Sequence, residues 1–510
     1  MISPAGWSMR RRMALSAVIG ALGASGLAPL GWWGVTLLAL MAVPGLFLTA
    51  ATARQAGWIG WAFGFGWFAP ALVWIVEPFL VDAPRYGWMA PFALVLFSGG
   101  LALFWGLAFW LARRIGIGRG AAIVALVLTL SLAEFARAYV LTGFPWAALA
   151  QIWVGTSAAR LLAFVGPHGL ALLTLAVAVM SGFAAFCAQD TRARLIGLVP
   201  VLLLIVAVVT GDQWNRDETV ATTGHTIRLI QPNAPQHQKW DPDFIPVFFR
   251  RSVEFTAAAP QPGQPVPDLI VWPETSVPTL LHNAGPAFDV IADAARGTPV
   301  VAGVQRVDGN RLFNTLVYLD ETGRVAGTYD KHHLVPFGEY MPLGDLASRL
   351  GLRGLASRDG DGYSAGPGPG VMPLGSLGKA LPLICYEAVF AQDVSATVQR
   401  PDFLLLITND AWFGQYSGPY QHLAQAQMRA IEQGLPMIRV ANTGISAMID
   451  PLGRITHSIP LGHAGYMDAP LPVALASTIY SRTGDLPLLV ILVLFTCGLA
   501  VMQTRRGTCT

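Results

Sequence analysis

The chain contains 510 residues, of which 54% are hydrophobic and only 12% are charged. Soluble globular domains carry about 25% charged residues, so this composition excludes a single soluble domain. The formal net charge is only +3, and no block of like charges is long enough to bind nucleic acid. We therefore expect a protein built around membrane segments, with no nucleic-acid partner.

Eight apolar segments predict membrane-spanning helices, because a bilayer core needs about 20 apolar residues of helix. They lie at approximately 13–30, 33–50, 57–77, 88–111, 121–137, 161–187, 195–211 and 485–503. The first segment also has features of a signal peptide, since three arginines precede a run of apolar and small residues. We favour a spanning helix, because six more apolar segments follow and no clean cleavage site is visible.

The distribution of arginines predicts the orientation, because short cytoplasmic loops retain positive charge. With the N-terminus inside, the inner side holds Arg10, Arg11, Arg12, Arg54, Arg113, Arg114, Arg119, Arg192, Arg194, Arg505 and Arg506. The outer loops and helix ends hold Arg85, Arg137 and Arg160. Residues 1–211 are then a membrane domain of seven helices, residues 212–484 an extracytoplasmic domain, and residues 485–510 the eighth helix and a cytoplasmic tail.

Glu134 lies near the outer end of the fifth apolar segment. We interpret it as an interfacial carboxylate that reaches the lipid headgroups, with a substrate contact as the alternative.

The polar stretch after residue 212 has the pattern of a domain that mixes strands and helices. Short apolar runs broken by Gly, Pro, Asn and Asp predict strands at 225–231, 268–272, 299–305, 312–319, 380–385, 403–408, 436–441 and 445–450. Helices are predicted at 243–259, 285–296 and 419–434, the first with a capped start at Asp241 to Asp243. The stretch 353–375 is too rich in Gly and Pro to be regular.

Three residues of this domain form a candidate catalytic set. Glu274 follows an apolar strand, where sheet enzymes place reacting groups, and Cys385 ends another strand in the manner of a nucleophile turn. Lys331 is one of only three lysines, with Lys239 and Lys379, and all three lie in the polar stretch. A carboxylate takes the proton of an attacking thiol and an ammonium stabilises the oxyanion, so this set suits acyl transfer.

Each of these residues also has a structural alternative when it is considered singly. A lone cysteine at the end of an apolar strand is more often a buried core thiol, and a lone Glu or Lys is usually solvated. The four cysteines are too few and too scattered for a disulfide framework or a zinc site. His237, His332, His333 and His422 match no metal-binding pattern, and Cys-Glu-Lys chemistry needs no metal or cofactor.

Four sequence strings resemble a known family. VWPETS contains Glu274, DKHHLVPFGEYMP contains Lys331, LICYE contains Cys385, and NDAWFG follows. These strings are similar to those of the nitrilase-like domain of bacterial apolipoprotein N-acyltransferases, which complete lipoprotein maturation. The resemblance covers the whole chain, since that family has eight membrane helices with its nitrilase-like αββα sandwich inserted between the last two.

The resemblance implies roles for the matched positions. Glu274 corresponds to the general base, Lys331 to the oxyanion-stabilising lysine and Cys385 to the nucleophile. Further matches to supporting or substrate-binding positions are Glu339, Glu387, Tyr386, Trp240, Asn314, Pro342, Trp412 and Phe413. Trp240, Trp412 and Phe413 are interpreted either as core aromatics or as lipid contacts. Asp410 and Glu432 are interpreted as structural or solvated.

The function implied by the resemblance is acyl transfer in the bacterial inner membrane. The donor is a phospholipid, usually phosphatidylethanolamine, and the acceptor is the N-terminal amine of a diacylglyceryl-modified apolipoprotein. One alternative is a membrane-tethered amidase or nitrilase, for which eight membrane segments are unnecessary. A channel or transporter with an outer binding domain is the other alternative, and the scarcity of ionisable residues in the apolar segments disfavours it.

Overall fold

The computed structural model describes residues 6–187, 190–214, 220–342 and 362–507. Backbone contacts divide the chain into two compact units. The first, the helical unit, comprises Met1–Val76, Trp88–Glu218 and Ile479–Thr510. The second, the sandwich unit, comprises Glu77–Gly87 and Thr219–Thr478.

Each predicted apolar segment coincides with one long helix. In chain order the α-helices are α1 (Met9–Ala24), α2 (Trp33–Phe47), α3 (Ala53–Ala71), α4 (Glu77–Leu80), α5 (Ala83–Tyr86), α6 (Ala90–Ile115), α7 (Arg119–Tyr139), α8 (Leu162–Cys187), α9 (Thr191–Trp214), α10 (Gln236–Lys239), α11 (Ile245–Ala257), α12 (Gly285–Ala295), α13 (Ala391–Val394), α14 (Gly418–Gln433), α15 (Ile479–Thr483) and α16 (Leu486–Gly507). The apolar segments correspond to α1, α2, α3, α6, α7, α8, α9 and α16.

Several of these helices have the length and composition of membrane spans. Four stretches within the described residues qualify outright: Ala83–Ile115, Arg119–Tyr139, Ser157–Phe186 and Thr191–Gln213. A fifth candidate is the pair Ala53–Ala71 and Val73–Leu80, which bends by 63°. Trp33–Phe47 and Leu486–Met502 are apolar but shorter. At least four candidate spans are therefore present, and the count of eight stays a prediction.

Glu134 is a buried member of the helical unit. Its carboxylate forms an ion pair of 2.9 Å with Arg137 and accepts a hydrogen bond of 2.9 Å from the Trp105 indole. Arg137 also donates to the carbonyl oxygens of Phe144 and Trp146, at 2.6 Å each. The expectation of an interfacial carboxylate is therefore wrong, because Glu134 holds the chain that follows α7 instead of reaching the headgroups.

The described residues of the sandwich unit form two six-stranded sheets. Its strands are β1 (Thr222–Gln231), β2 (Leu269–Val271), β3 (Val300–Asp308), β4 (Arg311–Leu319), β5 (Val325–Asp330), β6 (Met372–Pro373), β7 (Lys379–Ile384), β8 (Phe403–Thr408), β9 (Met437–Ala441), β10 (Ser446–Ile449), β11 (Ile455–Ile459) and β12 (Gly465–Pro472). The first sheet has the order β12-β1-β2-β3-β4-β5 and the second has the order β11-β10-β9-β8-β7-β6. In the centre of each sheet three strands run parallel, β1-β2-β3 in the first and β7-β8-β9 in the second. The other strands pair antiparallel to their neighbours.

The two sheets pack face to face, with helices on their outer faces. Strand β1 packs on β9 and β10, and β4 packs on β7. Outside the first sheet, Ile270 and Val300 share an apolar cluster with Phe288 and Ile291 of α12. Outside the second sheet, strand residues form an equivalent cluster with Leu423, Ala426 and Ala430 of α14. These four layers are the predicted αββα sandwich.

The structure confirms the eight predicted strands and the three predicted helices of this unit, with boundaries shifted by at most three residues. The predicted helix cap is wrong, because α11 begins at Ile245 without a side-chain cap and Asp241 accepts from the Asp243 backbone N–H instead. Strands β5, β6, β11 and β12 were not predicted. Of the irregular stretch 353–375, residues 353–361 lie outside the described residues, and residues 372–373 form β6.

Candidate active site

The three candidate catalytic residues lie just beyond strand ends from both sheets. Glu274 follows β2, Lys331 directly follows β5 of the same sheet, and Cys385 directly follows β7 of the second sheet. All three side chains are buried, with exposed fractions of 6%, 1% and 5%. Burial of two ionisable groups and a thiol is costly without partners, so their mutual contacts determine whether they form a site.

Lys331 joins two carboxylates. Its Nζ lies 2.8 Å from Oε2 of Glu339 and 3.9 Å from Oε1 of Glu274. The Asn314 side-chain amide donates to Oε1 of Glu274 at 2.6 Å and to Oε1 of Glu339 at 3.3 Å. The structure thus brings Glu274, Lys331, Glu339 and Asn314 into one hydrogen-bonded group.

Cys385 occupies a strained turn between β7 and a short helical segment. Its φ of 52° lies in the left-handed region, which non-glycine residues rarely adopt and which is common at reactive positions. The thiol is hydrogen-bonded to the Thr408 side chain and interacts electrostatically with Glu274 and Lys331. A sharp turn from a strand into a helical segment is the geometry that presents a nucleophile in other enzymes, and the role of Cys385 stays a prediction.

The electrostatics of the group favour a protonated thiol beside a basic carboxyl. Burial raises the pKa of the Cys385 thiol well above its usual range, more than Lys331 lowers it. Burial also raises the pKa of Glu274, against the opposing effect of Lys331. Burial alone would lower the pKa of Lys331. The charges of Glu339 and Glu274 outweigh this effect and raise the pKa, so Lys331 stays charged. A resting thiol of this kind needs a base before it can attack, and Glu274, which interacts electrostatically with the thiol, is the predicted one.

Glu387 connects the turn at Cys385 to the segment that carries Lys331. Its Oε2 accepts the Ile384 backbone N–H at 2.7 Å. Its Oε1 accepts the His332 backbone N–H at 2.7 Å and the Tyr329 hydroxyl at 3.0 Å. One fully buried carboxylate therefore links the end of β7 to the end of β5. Tyr386 is buried beside it, with its ring edge against Phe390.

The aromatic residues predicted at the substrate entrance differ in their exposure. Trp240 is 37% exposed and Trp412 is half-buried, as is Pro342. Phe413 is buried, and its ring lies edge-on to His422 with centroids 5.6 Å apart. The core interpretation therefore suits Phe413, whereas Trp240 and Trp412 retain the exposed surface that a lipid contact requires.

A buried polar network supports Cys385 from behind. Asp410 pairs with Arg439 and with Nδ1 of His422, the latter at 2.8 Å. His422 Nε2 lies 3.2 Å from the Cys385 carbonyl oxygen. Burial alone would raise the pKa of Asp410, but Arg439 and His422 outweigh this effect and lower the pKa. The structural interpretation of Asp410 is confirmed, and the sequence gave no sign that His422 contacts the backbone of Cys385.

His332, His333 and Asp393 form a second polar cluster. Their potential metal-ligand atoms lie within 4.8 Å of one another. His332 Nδ1 is 2.6 Å from a Glu387 oxygen, and His333 Nδ1 is 2.6 Å from an Asp393 oxygen. Burial would lower the pKa of His332, but its contacts with Asp393 and Glu387 raise it to about 9. A protonated imidazole has no lone pair for a metal, so the contacts of His332 with Glu387 and Asp393 are ion pairs.

Lys239 is a buried group near the site that the sequence motifs do not assign. Its Nζ donates to the backbone carbonyl oxygen of Glu274 at 3.0 Å and to the Thr275 hydroxyl at 2.7 Å. The rarity of lysine in the sequence was the one signal that pointed to it.

Comparison with known proteins first defines the class. Residues 205–480 match the carbon–nitrogen hydrolase family model, and residues 19–180 match that of the apolipoprotein N-acyltransferase N-terminal domain. The protein is thus an acyltransferase-type member of the nitrilase-like fold. The apolipoprotein N-acyltransferase of Rhodopseudomonas palustris is 36% identical over 511 residues, covering 96% of this chain and 94% of that protein. That of Sinorhizobium fredii is 38% identical over 429 residues, covering 81% and 79%. The chain belongs to the apolipoprotein N-acyltransferase family.

Solved structures also align with the chain. The amidase from Nesterenkonia sp. AN1 is 19% identical with a TM-score of 0.37, and the alignment covers 53% of this chain and 98% of that one.

Proposed function

We propose that this protein transfers an acyl chain from a membrane phospholipid to the N-terminal amine of diacylglyceryl-cysteine apolipoproteins. Phosphatidylethanolamine is the proposed donor. In the first half-reaction Cys385 attacks the acyl ester, and a lysophospholipid leaves. In the second, the apolipoprotein amine attacks the thioester, which frees the thiol and yields a triacylated lipoprotein. This is a ping-pong reaction that needs no cofactor.

The observation that supports this mechanism most is the buried ion group beside a strained cysteine. Glu274 takes the thiol proton as sulfur attacks and returns it to the departing alkoxide of the lysophospholipid. It then takes a proton from the attacking amine and passes it to the leaving thiolate. Lys331 stabilises the oxyanion of both tetrahedral intermediates, a contribution of about 10²–10³ in rate for a good donor. Glu339 holds Lys331 charged and in place through the 2.8 Å ion pair.

We propose the following topology for the same function. Eight helices cross the inner membrane, with both termini in the cytoplasm and residues 212–484 in the periplasm. Residues 1–211 and 485–510 then form the membrane part. The arginine distribution supports this orientation. The bilayer itself is a partner, because both proposed substrates carry acyl chains that cost about 0.8 kcal/mol per CH₂ to expose to water.

Acyl-enzyme trapping tests the mechanism on the full chain. Incubation with phosphatidylethanolamine alone should leave a hydroxylamine-labile acyl group on Cys385, and addition of a diacylated lipopeptide should remove it as the N-acyl product. Cys385→Ala should carry none, whereas Cys497→Ala, which alters an exposed cysteine, should acylate normally. Glu274→Gln should prevent acylation, and Lys331→Met should slow it by roughly 10²–10³-fold.

Two results would overturn the proposal. Acyl groups on a residue other than Cys385 would refute the assignment of the nucleophile. Hydrolysis of small amides with no transfer to the lipopeptide would favour the amidase alternative.

A further inference from the structure

Lys239 is a buried ammonium for which the proposed mechanism has no use. It ends helix α10 and is only 8% exposed. Its two hydrogen bonds go to consecutive residues, to the carbonyl oxygen of Glu274 and to the hydroxyl of Thr275. Lys239 therefore binds the backbone turn that carries the general base, and neither bond involves the Glu274 carboxylate.

That turn has a conformation that needs support. Thr275 has a φ of 45°, in the left-handed region that disfavours β-branched residues. Such residues persist only where the surroundings over-determine them. A Cβ at Gly303 of β3 would lie 2.3 Å from the Thr275 backbone nitrogen, so that strand packs against the turn without a side chain between them. The backbone of Gly303 also accepts the Ser276 N–H at 2.9 Å. Strand β3 and Lys239 thus both hold the turn.

The charge of Lys239 also acts on the site. Burial lowers the pKa of Lys239 to about 8, opposed by the nearby Glu274 and Cys385 groups. In return, Lys239 lowers the pKa of Glu274 against the effect of burial. The ammonium is thus a second positive charge beside the base, after Lys331.

We propose that Lys239 is a positioning residue for Glu274, because its bonds to the Glu274 carbonyl oxygen and the Thr275 hydroxyl fix the backbone turn that carries the base and place a positive charge next to it. This inference rests on the proposed role of Glu274 as general base. It assigns a function to a lysine outside the Cys-Glu-Lys set. A neutral donor would be enough to make the two hydrogen bonds, so the inference also explains why a charged group is buried there.

The test compares four variants of the full chain. Lys239→Met removes the charge and both hydrogen bonds, and Lys239→Arg keeps a charge that does not titrate below pH 12. Thr275→Val removes one hydrogen-bond acceptor and leaves the ammonium. Lys379→Met is the matched control, because Lys379 is an exposed lysine on β7. The readouts are the pH dependence of Cys385 acylation by phosphatidylethanolamine, the rate of Cys385 alkylation by iodoacetamide followed on its peptide, and thermal unfolding.

Lys239→Met should slow acylation roughly 10- to 100-fold, the size of effect that a small misplacement of a reacting group produces. In Lys239→Met the acid limb of the pH–rate profile, where acylation is lost as Glu274 is protonated, should move to higher pH, because Glu274 loses a neighbouring cation. Alkylation of Cys385 should slow, because the thiolate loses the same cation. Lys239→Arg should restore part of the acylation rate. This rate should persist above pH 8, because arginine stays charged where Lys239 loses its proton. Thr275→Val should slow acylation without moving the acid limb, and Lys379→Met should match the wild type.

An unmoved acid limb and unchanged alkylation in Lys239→Met, with activity falling only as folded protein is lost, would overturn the inference. If Lys239→Met does not fold, the Arg and Thr275→Val variants decide, and wild-type behaviour in both overturns it. Failure of the proposed function is separate. It would show as no acylation of the wild type, while alkylation would still report whether Lys239 acts on Cys385.

Discussion

Replacing Glu339 with glutamine should lower the pKa of Glu274 and slow Cys385 acylation. In the native site Lys331 is shared between two carboxylates, and its shorter contact is with Glu339. The substitution removes that partner's charge and keeps its shape. Lys331 is left buried with Glu274 as its only carboxylate within 4 Å among the described residues, so it should move toward the general base.

The distances give the size of this effect. With an effective dielectric constant of about 20, unit charges attract by about 5.9 kcal/mol at the 2.8 Å of the Lys331–Glu339 pair and by about 4.3 kcal/mol at the 3.9 Å of the Lys331–Glu274 pair. Closing the second distance to match the first gains about 1.7 kcal/mol, or about one pKa unit for Glu274. Loss of the Glu339 charge, which raises the pKa of Glu274 in the native site, acts in the same direction.

The rate of single-turnover acylation, measured across pH, checks the direction of the predicted shift in the pKa of Glu274. Acylation needs ionised Glu274, so in Glu339→Gln the acid limb should move about one unit lower. The maximal rate should fall, because a weaker base is paired more tightly. Lys331→Met should move the limb to higher pH, because Glu274 loses its main cation. Glu321→Gln, at an exposed position between β4 and β5, is the control. Limbs that move in the same direction in both site variants would refute the shared-lysine reasoning.

Two further predictions concern single side chains, and a third concerns the membrane orientation that the arginine distribution predicts. Glu387→Gln should lower the free energy of unfolding by about 1–3 kcal/mol and abolish acylation, because its amide turns a donor toward a backbone N–H; unchanged stability in urea would contradict this. Phe413→Ser should destabilise the protein, whereas Trp412→Ser should reduce acyl transfer with nearly unchanged thermal unfolding; equal destabilisation would argue against a lipid contact at Trp412. A reporter fused after Gln261 should be active only outside the cytoplasm, and one at the C-terminus only inside.

The strands that sequence reasoning missed share one position. Strands β12 and β5 are the edges of the first sheet, and β11 and β6 are the edges of the second. Central strands such as β8 are buried along their whole length and are therefore continuous apolar runs. Strand β5 has a mostly exposed pattern with one buried residue, and β6 has only two residues. Among the described strands, these four pair with a neighbour in their sheet on one side only, and β5 and β6 carry too few buried residues to give an apolar signal.

The residues of the candidate site also divide into those that the sequence predicted and those that it did not. Glu274, Lys331, Cys385 and their carboxylate neighbours were predicted, because short sequence strings carry them and the three candidates follow predicted strands. Lys239 was not assigned a role, because its partners include a backbone carbonyl, which leaves no mark in the sequence. The positive φ of Cys385 and of Thr275 was equally invisible, since neither is a residue type that prefers that conformation.

The site also shows why the sandwich, and not a single sheet, determines its geometry. The proposed base, Glu274, and Lys331 follow strands of the first sheet, and the proposed nucleophile, Cys385, follows a strand of the second. No backbone hydrogen bond of one sheet can therefore set the distance between Cys385 and Lys331. That distance depends on how the two sheets pack and on Glu387, whose carboxylate binds backbone groups at both strand ends. A buried carboxylate is costly, and the hydrogen bonds that Glu387 accepts offset this cost. The same bonds fix the ends of two strands that the sheets alone would leave independent.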